Sequence, residues 1–69
     1  MTQKTIAQFL DQAASRSKNP ASGKQCWFLA GLILKAGETI NDVFDITNTN
    51  VALSMKEASA LISDYLAGN

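Results

Sequence analysis

The sequence predicts an all-α protein: a small bundle of three main helices plus one short helical turn. Three observations predict it. Apolar residues recur at i, i+3, i+4, i+7 and i+8 in two separate stretches: Ile6, Phe9, Leu10, Ala13, Ala14, and Ala58, Leu61, Ile62, Tyr65, Leu66. That is the stripe of a 3.6-residue helix. Serine or threonine followed three residues later by an amide or acid, the capping-box spacing, occurs at Thr5–Gln8, Ser22–Gln25, Thr39–Asp42 and Ser54–Glu57. Finally, 69 residues with 46% apolar content supply one small core and leave no room for a second domain.

The first helix is expected over about Gln3 to Ser15, capped by Thr2 or by Thr5 with Gln8 as its box partner. Arg16-Ser17-Lys18-Asn19-Pro20 breaks the pattern, because Pro20 disfavours helical geometry at Asn19. The second helix is capped by Ser22, has Gln25 at its third position, runs to about Ala36 and stops at Gly37 in a left-handed conformation. From Cys26 to Leu34 every residue is apolar or glycine. A helix apolar on all sides has to be surrounded, so this one is expected at the centre, with Trp27 in the core; the alternative is a Trp27 that stacks on a nucleic-acid base. Gly31 costs about 0.8–1.0 kcal/mol relative to Ala in mid-helix, and close approach of another helix would account for it.

Residues 38–46 are ambiguous. Thr39 and Asp42 can cap a short helix with Ile40, Val43 and Phe44 on one face, while the β-branched residues also permit an extended piece. One or two helical turns are preferred. Thr47-Asn48-Thr49-Asn50 reads as a loop of residues that hydrogen-bond their own backbone. The last helix opens at Ser54-Met55-Lys56-Glu57, with Leu53 and Ala58 in the hydrophobic-staple positions, and ends at Gly68.

The inventory narrows the chemistry. There is no histidine and one cysteine, Cys26, so catalysis by Ser-His-Asp or Cys-His sets is excluded, as are a zinc site of four Cys/His ligands and a disulfide within the chain. Cys26 lies within the apolar run and reads as a small core residue. The longest apolar run has nine residues, against about 20 for a membrane span. The polar start Met1-Thr2-Gln3-Lys4-Thr5 lacks the apolar stretch of a signal peptide. The expectation is a non-enzymatic protein without cofactor or metal, in a reducing cytoplasm and off the membrane. Ala21-Ser22-Gly23-Lys24-Gln25 is similar to the end of a phosphate loop, but the upstream glycine and the preceding strand are missing.

Two stretches carry a resemblance: Lys24-Gln25-x-x-Phe28-Leu29-x-x-Leu32, and Leu53-Ser54-x-x-Glu57-Ala58-Ser59-x-Leu61-Ile62-x-x-Leu66. Together they resemble a small helical module of bacterial and phage proteins, found also in the tails of some phage single-strand-annealing recombination proteins. The resemblance covers about Lys24 to Leu66. It implies an accessory protein of phage or bacterial origin and carries no chemistry over.

Charge adds candidate surfaces. Net charge is zero, yet residues 1–35 hold five cations and one acid, and residues 36–69 one cation and five acids. The chain is therefore +4 in one half and −4 in the other. In the acidic half, Glu38, Asp42 and Asp45, interleaved with apolar residues, are candidates for docking a basic protein; the alternative is a turn whose apolar residues close the core. In the basic half, Arg16, Lys18, Ser22 and Lys24 surround the start of the second helix and are candidates for contacting phosphate of a nucleic acid; the alternative is a set of solvated cations. A third candidate is the back of the last helix, where Lys56, Ala60, Ser63 and Ala67 form a face of mostly small residues suited to a homodimer. A protein partner ranks first and nucleic acid second, because DNA readers of this size are usually net basic.

Overall fold

The structure, a computed structural model, describes residues 2–44 and 51–68. The described residues form four helices and no strand: α1 (Gln3–Ala14), α2 (Gly23–Lys35), α3 (Ile40–Val43) and α4 (Met55–Leu66). The expected small all-α bundle is the fold found. Asp45, Ile46 and the expected loop Thr47–Asn50 lie outside the described residues.

Each long helix begins where a side chain relieves its unpaired N–H groups. Thr2 caps α1, its hydroxyl accepting the Thr5 N–H at 3.2 Å. The Thr5–Gln8 box is therefore not the cap: Thr5 already lies inside the helix, and its own N–H is spent on Thr2. At α2 both arms of the Ser22–Gln25 box are made, at 3.1 and 3.0 Å. At α4 the Ser54 hydroxyl accepts the Glu57 N–H at 3.0 Å. Thr39 and Asp42 close the single turn of α3, where the Thr39 N–H donates to Asp42 Oδ2 at 2.7 Å. Gly37, at φ 74°, turns the chain out of α2 in the left-handed region where a side chain would be strained.

α2 packs between α1 and α4. α2 and α4 run parallel. Their starts are joined by an isolated bridge between Pro20 and Ser54, in which Ala21 N–H donates to Leu53 O at 3.2 Å and Met55 N–H to Asn19 O at 2.8 Å. Gln25 Nε2 adds a bond to Met55 O at 3.4 Å. Their far ends share a hollow lined by Lys35, Ala36, Tyr65 and Leu66. Ile6, Leu10, Cys26, Leu29, Ile33 and Leu53 are fully buried between the helices. α3 closes one end of this core: Ile40 is buried, and the Phe44 ring lies 6.1 Å from that of Phe9, tilted by 43°.

Two expectations about α2 are overturned. It is central, but it is not surrounded. Its neighbours cover Cys26, Leu29, Ala30 and Ile33, while Trp27 is 52% exposed, Phe28 48% and Leu34 43%. The expected core role of Trp27 fails because two flanking helices cannot enclose all sides of a third. At Gly31 another helix does come close, through the Gln3 side chain of α1. A Cβ there would sit 2.8 Å from Gln3 Nε2, which donates to Trp27 O at 3.0 Å.

These contacts order two substitutions. Gly31→Ala gains about 0.8–1.0 kcal/mol of helix propensity and displaces one flexible amide worth about 0.5–1.5 kcal/mol. Its stability in urea unfolding is expected within about 1 kcal/mol of wild type. Leu29→Ala, at a fully buried site, is expected to lose about 2–5 kcal/mol.

Candidate functional site

The acidic candidates are partly brought together. Glu38 and Asp42 line one shallow groove of about 330 Å³ with Val43, Leu61, Asp64 and Tyr65. Asp64 joins them from α4, a partner that sequence reading missed. Asp45 lies outside the described residues. Both described acids do internal work: Glu38 Oε1 accepts the Tyr65 hydroxyl at 2.5 Å, and Asp42 caps α3. Ile40 is buried, and Val43 and Phe44 pack partly buried against the core, which is the alternative of a turn whose apolar residues close it; Val43 also lines the groove.

The basic candidates divide. Arg16 Nη1 donates to Val51 O at 3.0 Å and so ties the end of α1 to the segment before α4. The Ser22 hydroxyl accepts the Gln25 N–H, and the Ser22 N–H donates to Gln25 Oε1. Lys18 and Lys24 are exposed. Lys24 stands in the first turn of α2, where the helix dipole mildly disfavours a cation and favours an anion brought to it.

The open face of α2 is the feature that sequence reading did not foresee. Lys24, Trp27, Gly31, Leu34 and Lys35 recur at i, i+3, i+7, i+10 and i+11, so they form one line along the helix. Phe28 stands beside that line. The face is apolar in its middle and carries one lysine at each end. Across the seam with α4, Met55 and Leu66 are 53% and 62% exposed. These two are eleven residues apart and share one side of α4. The open face of α2 and the seam together expose five large apolar side chains among the described residues.

The remaining candidates are simpler. Lys56, Ala60, Ser63 and Ala67 all lie on the exposed back of α4. Cys26 is fully buried. Burial pushes its thiol up to about 11, assisted by the Asp11 carboxylate, which accepts its hydrogen bond and repels a thiolate. Tyr65 is pushed up to about 12, first by burial and then by its bond to Glu38 and the nearby charges of Glu38 and Asp42. Among the described residues, no helix is long and apolar enough to cross a membrane. No protein family, curated protein or solved structure matches the chain.

The two raised values set an alkaline limit. Both groups are held protonated in the fold above their ordinary values of 9.0 and 10.0. Unfolding therefore becomes easier as pH rises past those values and releases their protons. Melting temperature is expected to fall from about pH 9 and to keep falling to about pH 12. Cys26→Ala should flatten the lower part of that fall and Tyr65→Phe the upper part.

Proposed function

We propose that the chain is a small non-enzymatic accessory protein of phage or bacterial origin that acts in the cytoplasm by protein–protein interaction. Its docking surface is the open face of α2. One observation carries this reading: Trp27 and Phe28, two of five aromatic residues in the chain, stand about half exposed beside Leu34. A contiguous exposed apolar patch on a small protein marks an interaction site. Tryptophan in such a patch is a frequent anchor. Covering about 100 Å² of one exposed aromatic side chain stabilises a complex by about 2.5 kcal/mol. The accessory role follows the motif resemblance, and the protein-binding role follows the surface.

The same exposure supports a second reading. Trp27 lies one turn from Lys24, an arrangement that can stack a base and hold its phosphate, with Lys18 as a further cation. Engagement of Arg16 and Ser22 inside the chain weighs against it.

The two readings separate experimentally. Immobilised chain is expected to retain a protein from bacterial lysate. The Trp27→Gln/Leu34→Gln variant, checked to be helical by circular dichroism, should lose it, whereas Lys56→Glu on the back of α4 should keep it. Equal retention by all three would overturn the α2 face. Micromolar binding to a labelled single strand at about 50 mM salt, falling steeply as salt is added, would install nucleic acid in its place.

A further inference from the structure

We propose that the occupant of the α2 face is an acidic amphipathic helix of a partner protein, lying along the seam between α2 and α4 with acidic residues against Lys24 and Lys35. This rests on the docking role proposed above and adds the partner's chemistry.

The seam is shaped for a helix. α2 and α4 lie parallel, with 13 and 12 residues, so their open sides run together for about 18 Å at 1.5 Å per residue. Phe28 and Leu32 belong to the α2 side, and Met55, Ile62 and Leu66 to the α4 side. A hollow of about 300 Å³ at the far end, reaching from Leu32 to Leu66, can take one large apolar side chain. Two parallel apolar walls of this length accept an amphipathic helix through anchors at i, i+3 or i+4, and i+7.

The charges select an acidic helix. Lys24 and Lys35 are both exposed, and α2 contains no acid. Eleven residues place the two lysines about 16 Å apart along the axis and about 20° apart around it. Two carboxylates about eleven residues apart on a partner helix meet both lysines at once. The chain's own acidic groove, with Asp64 and Leu61, lies on another side of α4 from Met55 and Leu66. It places no acid beside the basic ends of the seam among the described residues.

The same charges disfavour the other occupants. In a second copy packed face to face, antiparallel α2 helices bring Lys24 against Lys35, and parallel ones bring each lysine against its equivalent. Either arrangement sets like charges together. A single-stranded nucleic acid would use Trp27 and Phe28 for stacking, but Leu34, Met55 and Leu66 offer its bases no ring to stack on. Aliphatic and thioether groups fit apolar side chains of a protein.

The test is a selection on the immobilised full chain from a displayed library of helical peptides about 20 residues long, which spans about 30 Å. Enriched peptides are expected to combine apolar anchors at helical spacing with Asp or Glu on the flank. Their affinity should fall about tenfold on Lys24→Glu/Lys35→Glu and by less on Lys24→Gln/Lys35→Gln. A selection on the double-Glu variant should enrich Lys and Arg instead. The charge reversal leaves the core untouched, and its dipole effects at the two ends of α2 oppose each other. Circular dichroism melting confirms that it is folded.

Enriched peptides without acidic bias, or indifferent to the reversal, overturn the acidic helix and leave the docking role standing. Peptides that bind Phe28→Gln/Leu66→Gln as well as wild type overturn the seam; peptides that bind Trp27→Gln/Leu34→Gln as well as wild type too, or no enrichment at all, overturn both. An oligo-dT strand that binds more tightly than the best peptide and competes with it overturns the protein occupant. A dimer in sedimentation that dissociates on Trp27→Gln/Leu34→Gln installs a second copy instead.

Discussion

Leu53 is the residue on which the arrangement depends. Its side chain is fully buried, and both of its backbone groups are paired across the fold. Its N–H donates to Ala13 O at the end of α1, at 3.0 Å, and its carbonyl accepts the Ala21 N–H just before α2, at 3.2 Å. The next two residues cap and start α4. One position therefore joins the end of one helix to the starts of two others. Backbone hydrogen bonds have fixed geometry and are costly to leave unmade when buried. This junction consequently sets how α2 and α4 enter, and they enter side by side and parallel.

The open surface follows from that entry. With α1 on one flank of α2 and α4 on another, the side carrying Trp27 faces solvent unless a further helix covers it. α3 has four residues and is engaged elsewhere, closing the end of the core through Ile40 and the Phe9–Phe44 contact. The apolar run of α2 is thus divided. Cys26, Leu29, Ala30 and Ile33 hold the fold together, and Trp27, Phe28 and Leu34 stand about half exposed to solvent. The polar pole at the other end has less freedom. Glu38 and Asp42, which could face a partner on charge alone, are spent inside the chain: Glu38 ties the segment before α3 to Tyr65 of α4, and Asp42 caps α3.

Local rules made the elements legible in the sequence. The capping box at Ser22, the Ser54 hydroxyl cap and the glycine stop at Gly37 act within a few residues of chain, so their pattern alone locates the helix ends. Stripes on α1 and α4 likewise show which sides turn inward, except at Leu66, the last residue of the α4 stripe, which is exposed. The run on α2 defeated the same reasoning, since periodicity cannot orient a helix that is apolar all round. The lysines could have oriented it: Lys24 and Lys35 fall on one line with Trp27, Gly31 and Leu34, and two cations eleven residues apart on one side mark the side that meets water. Gln25 beyond its capping role, Gln3 at Gly31 and Arg16 at Val51 were not legible. Each contacts a residue distant in sequence, and no local spacing encodes such a contact.

The most direct measurement of the central claim is the emission spectrum of Trp27, the only tryptophan in the chain, with acrylamide quenching, on the isolated protein at low micromolar concentration. An uncovered α2 face predicts red-shifted emission, quenched nearly as readily as free tryptophan amide, that shifts to the blue when a partner docks. Blue-shifted, poorly quenched emission from the isolated chain would place Trp27 under cover and contradict the account.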